Sequence, residues 1–377
     1  MNKAYEEESY TFSPTAKGEE ILEEKMRAIV KVKPEEGGTE VQEVPVPKPK
    51  PSEALVRMEA VSICGTDVHI YEWDDWASKR IKVPLTYGHE FSGVIEDVGS
   101  DVRGLEKGDR VSGECHLCCG YCFQCRTGNA HICENMKIFG VDTTGIFAEY
   151  ASLPVANLLK NGDLPAKYAT IQDPLGNAIH TVFATDVPGR NVAVLGLGPI
   201  GLMSVAVCRA IGARKVFGIG RRNRYRIDLG KKCGADFALS SLTDDINKIV
   251  ADNTEGRGVD VALEMTGNPN AVNMGLDILR PGGTIALLGV FSEPWTTDLS
   301  ENVIFKYTTI KGINGRLMFD TWYRMRGLME SGSLNLEPII THELKFDQFE
   351  EGMAAMRSGN SGKVVLYMDW FQRQRNA

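Results

Sequence analysis

The sequence predicts an α/β protein with two domains, one compact and β-rich and one built on a doubly wound parallel sheet. In the first half of the chain, short segments of alternating apolar and charged residues are separated by Gly and Pro, which is typical of a β-rich domain. From residue 191, fully apolar segments alternate with helix-like segments, which favours a parallel sheet covered by helices. The length of 377 residues suits about two to three domains.

The composition excludes several classes of protein. Hydrophobic residues make up 43% of the chain and charged residues 24%, as in ordinary globular proteins. The net charge of −8 argues against nucleic acid as the main partner, because phosphate contacts need a basic surface. No apolar run approaches the roughly 20 residues that span a bilayer, and the acidic N-terminus lacks the apolar core of a secretory signal. We therefore expect a cytoplasmic protein without a membrane partner.

The acidic N-terminal extension comprises residues 1–25 and carries several pairs and runs of glutamate. Such a segment is typical of a solvated tail. The alternative is an arm that lies across a neighbouring subunit.

The regular elements follow from the period of the apolar residues. In the β-rich part we predict strands at 26–32, 53–60 and 91–99. Residues 107–111 are predicted to form a turn that leads into a further strand. In the second part we predict strands at 192–195, 216–219, 260–264 and 284–288, with a helix at 199–211. Near the C-terminus we predict a helix through Trp322 and Met325 and a strand at 363–368.

A glycine-rich turn follows the first strand of the parallel sheet. Gly196, Gly198 and Gly201 form the pattern G-x-G-x-x-G with Pro199 and Ile200 between the second and third glycines. The first glycine permits a tight turn, the second allows close approach of a pyrophosphate, and the third allows the helix to pack on the sheet. The helix amides then face the phosphates. This context favours a dinucleotide site over a plain strand–turn–helix.

The end of the second parallel strand predicts which dinucleotide binds. An acidic residue at this place binds the ribose 2′-hydroxyl of NAD, but this chain has Gly220 followed by Arg221 and Arg222. Two guanidinium groups can grip a dianionic 2′-phosphate. We therefore predict NADP in preference to NAD. The alternative is that the arginines form a solvated face and that NAD binds without its usual acid.

Six of the nine cysteines lie between residues 115 and 133. Cys119, Cys122, Cys125 and Cys133 have the spacing C-x2-C-x2-C-x7-C, which suits a tetrahedral zinc site. Four thiolates leave no open position, so this zinc would be structural. A shifted register that uses Cys118 is an alternative.

A second metal site is predicted from distant segments. Its ligands would be Cys64, His89, Glu90 and Asp173, a mixed sulfur, nitrogen and oxygen set that suits zinc. With a position left for substrate, this zinc would act as a Lewis acid that lowers the pKa of an alcohol. The alternative is that the cysteine and the histidine are packed core residues.

Thr66 and His69 follow Cys64 closely and suit a proton relay from the metal to solvent. An imidazole with an unperturbed pKa of about 6.5 can accept and release protons near neutrality. The alternative for His69 is a surface residue on a turn.

Together these residues resemble the zinc-dependent medium-chain dehydrogenase/reductase superfamily, over residues 26–368. Within it, the L-threonine 3-dehydrogenase family is the closest, through segments 62–73, 137–142, 173–178 and 336–342. The resemblance implies a GroES-like catalytic domain at 26–178 and 317–377, with a structural-zinc lobe at about 113–135, and a Rossmann domain at 179–316. It also implies two zinc ions per chain and a homotetramer.

The chain departs from the family at two site positions. Asp173 stands where the family usually has Glu, and Gly220 stands where threonine dehydrogenases carry the acid that binds NAD. The function we expect is NAD(P)-linked oxidation of a small secondary alcohol or reduction of the ketone, with L-threonine first and polyols or vicinal diols as alternatives. A zinc-stabilised nucleotide-binding protein without catalysis, and a zinc module for nucleic acid, are the alternatives from other classes.

Overall fold

The computed structural model describes residues 24–375, so nearly all of the predicted extension at 1–25 lies outside the described residues. The strands are β1 (Lys25–Lys31), β2 (Thr39–Pro45), β3 (Glu53–Ile63), β4 (Leu85–Thr86), β5 (Glu90–Val98), β6 (Arg110–Gly113), β7 (His116–Leu117), β8 (Lys137–Ile138), β9 (Tyr150–Pro154), β10 (Leu158–Lys160), β11 (Asn191–Leu195), β12 (Lys215–Gly220), β13 (Phe237–Ser240), β14 (Val259–Glu264), β15 (Leu279–Leu287), β16 (Thr309–Gly312), β17 (Ile340–Lys345) and β18 (Lys363–Tyr367). The α-helices are α1 (Gly65–Glu72), α2 (Asp75–Arg80), α3 (Phe123–Arg126), α4 (Ala166–Ala169), α5 (Gln172–Phe183), α6 (Pro199–Ala210), α7 (Arg224–Lys232), α8 (Ile246–Asn253), α9 (Pro269–Ile278), α10 (Asp320–Glu330), α11 (Phe349–Ser358) and α12 (Asp369–Arg375).

The β-rich part is organised around the long strand β3. A seven-stranded sheet has the order β10-β6-β5-β3-β18-β17, and β9 also pairs with β3. Strand β18 comes from the C-terminus and runs antiparallel to β3, so the chain leaves this sheet and returns to it. The core under the sheet combines residues from both ends of the chain, for example Met58, Phe91, Phe346 and Leu366.

The second sheet has six parallel strands in the order β13-β12-β11-β14-β15-β16. Strand β11 lies at its centre, and all five of its residues are buried. Burial on both faces explains why this strand is a continuous apolar run, and each buried Val or Leu contributes roughly 1.5–3 kcal/mol. The predicted α/β class, with a β-rich part and a doubly wound parallel sheet, is confirmed.

The strand order places a crevice next to β11. The chain crosses from one side of β11 to the other between β13 and β14, and ligands of such sheets bind at the carboxyl ends of the strands where the order reverses. Helix α5 connects the two parts and packs against α6 and α10. Within residues 24–375, no helix has the length and apolar character needed to cross a bilayer.

Candidate active site

Cys64 lies at the junction between β3 and α1. It is the N-cap of α1, with φ −99° and ψ 163°, so the chain turns sharply there from strand to helix. The backbone N–H of Cys64 donates to Asp67 Oδ2 at 2.8 Å, which fixes the junction. Thr66 follows in the first turn, and its Oγ1 lies 3.8 Å from Cys64 Sγ. The thiol and the hydroxyl are therefore held side by side.

His89 and Glu90 stand at the start of β5, beside this junction. The Cys64 sulfur, a His89 ring nitrogen and a Glu90 carboxylate oxygen all lie within 4.8 Å of one another. His89 and Glu90 are buried, yet His89 Nδ1 and Glu90 Oε1 have no hydrogen-bond partner among the described residues. Buried polar atoms are almost always paired. The donor set of sulfur, nitrogen and oxygen fits a zinc ion.

The charges around this group favour a cation. Burial opposes the charging of His89, but the neighbouring Cys64 and Asp67 outweigh it and raise the pKa of the imidazole to about 10. Burial also raises the pKa of Asp67 to about 6, and its Oδ1 lies 3.8 Å from His89 Nδ1. At this distance the two atoms form no hydrogen bond, and Asp67 Oδ1 also has no partner among the described residues. Behind Glu90, the buried Lys363 amine and Ser62 hydroxyl both donate to its Oε2.

Asp173, the fourth predicted ligand, lines the same cavity as Cys64 and His89 and is also paired with an arginine. It lies in the first turn of α5, and its carboxylate is outside the three-residue group just described. Arg316 Nη1 donates to Asp173 Oδ2 at 2.9 Å, and Arg316 Nη2 lies 2.9 Å from Asp173 Oδ1. Its Oδ2 is therefore paired with a buried guanidinium group, whereas its Oδ1 has no hydrogen-bond partner among the described residues.

Arg316 also binds a second buried carboxylate. Its Nε donates to Glu114 Oε2 at 2.7 Å, and the Trp322 indole N–H donates to the same oxygen at 2.8 Å. Burial opposes ionisation of Glu114, but the guanidinium outweighs it and lowers the pKa of this carboxyl. The Arg316 Nη2 also lies 3.3 Å from Cys115 Sγ. His116 completes the network through its Nδ1, which lies 2.7 Å from Glu114 Oε1.

The glycine-rich turn connects β11 to α6, as predicted. A Cβ on Gly201 would lie 1.8 Å from the Gly196 carbonyl oxygen, so no side chain fits where the helix meets the turn. Gly198 is the N-cap of α6, with Pro199 in the first turn, and a Cβ there would meet no atom within 4 Å. The open space beside Gly198 lies at the N-terminus of a 12-residue helix, and such a position fits a pyrophosphate.

The end of β12 presents the two predicted arginines. Gly220 closes the strand, and Arg221 and Arg222 follow with exposed side chains. Neither guanidinium group makes a hydrogen bond or an ion pair with another described residue, whereas Arg224 pairs with Asp228 at 3.1 Å. A Cβ on Gly220 would lie 2.8 Å from Ile227 Cγ1, which disfavours an acidic side chain at this position.

One cavity of about 450 Å³ joins the metal group to the nucleotide turn. Cys64, Thr66 and His89 line one side, and Ile200 and Met265 line the other. Further residues of the wall, from both parts of the chain, are Trp76, Cys115, His116, Asp173, Asn177 and Arg316. The fold therefore brings the predicted metal site and the predicted nucleotide site, which are far apart in the sequence, to the same cavity.

His69 does not line this cavity. Its side chain is 57% exposed, and its Nδ1 lies 2.6 Å from Asp74 Oδ2. It occupies α1 one turn beyond Thr66, at the protein surface. The predicted relay partners therefore sit on one short helix, with the hydroxyl facing the cavity and the imidazole facing solvent.

The four-cysteine lobe forms a separate group. The sulfurs of Cys119, Cys122, Cys125 and Cys133 all lie within 4.8 Å of one another. Backbone N–H groups donate to three of these sulfurs, for example Cys122 N–H to Cys119 Sγ at 3.4 Å. Such donors stabilise thiolates, so the set fits a closed zinc site. Cys118 is exposed and is not part of the group in the described chain.

Two family models match this chain. Residues 50–165 match the family model of the alcohol dehydrogenase GroES-like domain, and residues 199–331 match that of the zinc-binding dehydrogenase. The L-threonine 3-dehydrogenase of Pyrococcus horikoshii is 48% identical over 349 residues, which cover 92% of this chain and 100% of the relative. The chain belongs to the zinc-dependent medium-chain dehydrogenase/reductase superfamily. It is a zinc alcohol dehydrogenase that acts on a CH–OH group and uses a nicotinamide nucleotide.

Solved structures of this superfamily share the fold. An alcohol dehydrogenase from Thermus sp. ATN1 is 30% identical with a TM-score of 0.83 and covers 91% of this chain and 100% of its own. A zinc-binding dehydrogenase from Sinorhizobium meliloti 1021, bound to NADP, is 27% identical with a TM-score of 0.83 and covers 91% of this chain and 99% of its own. The GroES-like and Rossmann-like assignment of the two parts is therefore confirmed.

Four residues of this dehydrogenase site were missed by the sequence interpretation: Asp67, Glu114, Arg316 and Lys363. Only Asp67 carries a local signal, because it stands three residues after Cys64, at the spacing of a helix capping box. The other three reach the site through long-range packing. Lys363, for example, lies 273 positions beyond its partner Glu90, and no local sequence pattern predicts this pairing.

Proposed function

We propose that this enzyme oxidises the secondary hydroxyl of L-threonine and reduces the corresponding ketone, with NADP as the preferred cofactor. The observation that carries this proposal is the single cavity shared by the Cys64–His89–Glu90 group and the glycine-rich turn. The threonine assignment is supported by the 48% identical relative named L-threonine 3-dehydrogenase. Oxidation moves a hydride from the carbinol carbon to the nicotinamide and releases one proton from the hydroxyl.

The metal proposal assigns two zinc ions per chain. Cys64, His89 and Glu90 would hold the catalytic ion, which when bound supplies the Lewis acidity that acidifies an alcohol. Asp173, whose Oδ2 is bound by Arg316, faces the same cavity and remains the predicted fourth ligand through its unpaired Oδ1. Cys119, Cys122, Cys125 and Cys133 would hold the structural ion. All nine cysteines are free thiols, which suits the reducing cytosol that we propose as the location.

The proton relay is assigned to Thr66 and His69. Replacing His69 with glutamine should lower kcat at neutral pH by about 100-fold. This is the lower end of the usual contribution of a general base, because water can replace part of the proton transfer at such an exposed position. Steady-state rates between pH 6 and 9 would measure the change, and added imidazole should restore part of the rate. A His69→Gln enzyme with the wild-type pH profile would remove the residue from the relay.

The cofactor preference is assigned to Arg221 and Arg222. Their guanidinium groups are exposed and have no ion-pair partner in the described chain, so they are free to bind a 2′-phosphate. Replacing both with alanine should raise the KM for NADP and leave the KM for NAD nearly unchanged. Each lost charged contact contributes roughly 1.5–3 kcal/mol, which corresponds to an increase in KM of about 10- to 100-fold.

The ratio of kcat/KM with the two cofactors measures this effect. Arg224→Ala is a matched control, because Arg224 lies two residues further on, at the start of α7, and pairs with Asp228. A clear preference of the wild-type enzyme for NAD, or an equal loss with both cofactors in the double variant, would contradict the NADP assignment.

The substrate is tested with a panel of alcohols and both cofactors. The panel contains threonine, serine, butanediols, sorbitol, threitol and simple secondary alcohols. The highest kcat/KM is expected for L-threonine. A higher value for a polyol or a vicinal diol would transfer the assignment to that substrate, and no turnover at full zinc content would overturn the proposed function.

We also propose that the enzyme is a homotetramer. Exposed large apolar side chains cluster in the segment that precedes the edge strand β16 of the parallel sheet, namely Val290, Leu299, Ile304, Phe305 and Tyr307. An exposed edge with apolar neighbours is a surface that proteins usually cover. Light scattering coupled to size-exclusion chromatography measures the mass directly.

A further inference from the structure

A second cavity, which is polar and has a volume of about 370 Å³, lies at the amino ends of the parallel strands. The nucleotide turn lies at their carboxyl ends. It is lined by the first residue of β11, Asn191, and by Gly258, which precedes β14. Because both strands are parallel and Gly196 follows the other end of β11, the cavity is separated from the nucleotide turn by the full length of the strand. Four arginines line it: Arg190, Arg214, Arg257 and Arg280.

The arginines outnumber the carboxylates that pair with them. Arg190 pairs with Asp186 and, at 3.8 Å, with Asp260. Arg280 also pairs with Asp260, and both Arg214 and Arg257 pair with Glu255. Four positive charges thus meet three negative ones, and one positive charge is uncompensated. Asp186 and Glu255 are mostly exposed, so only Asp260 is a carboxylate of the cavity wall. This excess is local, since the protein as a whole carries −8.

Several guanidinium nitrogens remain available to a ligand. Arg280 donates through Nε to Asp260 at 2.6 Å and through Nη1 to the Pro281 carbonyl at 2.7 Å, and its Nη2 has no partner in the described chain. Arg214 makes one side-chain contact, a long one of 3.4 Å from Nη2 to Glu255. The donors of these two arginines are therefore only partly used.

Asn191 gives a second, independent indication of a ligand. The residue lines the cavity and only 6% of it is exposed, yet its Oδ1 has no hydrogen-bond partner among the described residues. Buried polar atoms are nearly always paired. Either end of the amide can be turned toward a ligand, since the two orientations differ only in the exchange of oxygen and nitrogen.

We propose that this arginine cavity binds a small phosphate-bearing anion of the size of phosphate or pyrophosphate. Guanidinium groups match phosphate oxygens in bidentate geometry, and four of them on separate segments converge here. With its NH2 group turned into the position of the unpaired oxygen, the buried Asn191 amide would add a neutral donor. A volume of about 370 Å³ accommodates pyrophosphate but is small for a whole dinucleotide. The proposed site is independent of the alcohol that the enzyme oxidises.

The test is isothermal titration calorimetry of the zinc-loaded enzyme saturated with NADP, so that the pyrophosphate position of the nucleotide turn is occupied. Phosphate, pyrophosphate and ATP are titrated separately at constant ionic strength. We expect saturable binding of pyrophosphate with one equivalent per chain. Tightest binding of ATP would assign the shared phosphate chemistry to a nucleotide, and tightest binding of pyrophosphate would assign it to the free anion.

The double variant Arg214→Gln/Arg257→Gln should raise the Kd for pyrophosphate by at least about tenfold. This is the change expected from the loss of one charged contact. Both side chains are more than half exposed, so the fold is expected to tolerate the change. The double variant Arg324→Gln/Arg326→Gln, which also removes two positive charges but from the exposed face of α10, should leave binding unchanged. Absence of saturable heat, release of NADP by pyrophosphate, or an unchanged affinity in the double variant would overturn the proposal.

Discussion

Replacing Cys64 with serine should abolish alcohol oxidation and remove one of the two zinc ions that we propose for each chain. The thiolate is the sulfur donor of the Cys64–His89–Glu90 group, and a serine hydroxyl, which stays protonated, is a poor ligand for zinc. Loss of the Lewis acid should lower kcat by about 10³-fold or more, which corresponds to at least ~4 kcal/mol of transition-state stabilisation. Metal analysis and steady-state kinetics with NADP measure the two effects.

The fold should survive this substitution. The junction of β3 and α1 depends on the backbone N–H of Cys64, which donates to Asp67, and serine keeps that N–H and is a favoured N-cap residue. Cys118→Ser is the matched control, because this exposed thiol belongs to neither cysteine group and should leave zinc content and kcat unchanged. A Cys64→Ser enzyme with wild-type kcat would mean that the catalytic metal is held elsewhere.

The sequence predicted those parts of the molecule whose signal is local. Strand β11 and helix α6 were predicted within a residue or two, since a buried parallel strand is continuously apolar and the glycine turn marks the start of the helix. The four-cysteine spacing lies within 15 residues and is brought together by one short lobe. Each of these features is encoded by neighbours in the chain.

The environment of Asp173 could not be predicted in this way. The sequence indicated a metal ligand at this position, and the structure adds that its Oδ2 is bound by Arg316, which lies 143 positions away, while its Oδ1 has no hydrogen-bond partner among the described residues. The choice between a metal and a guanidinium partner depends on the distance that a short Asp side chain can reach in the folded protein. Periodicity and spacing contain no information about that distance, and neither predicts the buried Glu114 on the other side of Arg316.

Replacing Arg316 with methionine should have the largest effect on stability. Arg316 is 1% exposed and separates two buried carboxylates, Glu114 and Asp173. Removal of one partner from a buried ion pair leaves an uncompensated charge and typically costs about 3–5 kcal/mol. We expect a lower free energy of unfolding by about that amount, measured by denaturant titration of the zinc-loaded enzyme, and a lower kcat because Asp173 and His116 border the cavity.

Two comparisons separate buried pairing from a general loss of charge. Arg326→Met on α10 removes an exposed pair with Glu330 and should cost no more than about 1 kcal/mol. The double variant Glu114→Gln/Arg316→Met should be less destabilised than the sum of its single variants, because the neutral amide no longer needs the guanidinium. Strict additivity, or an Arg316→Met enzyme as stable as Arg326→Met, would show that Arg316 does not stabilise the site through its charge. The pairing of Arg316 with both carboxylates predicts coupling, since the energy of one buried charge depends on the presence of the others.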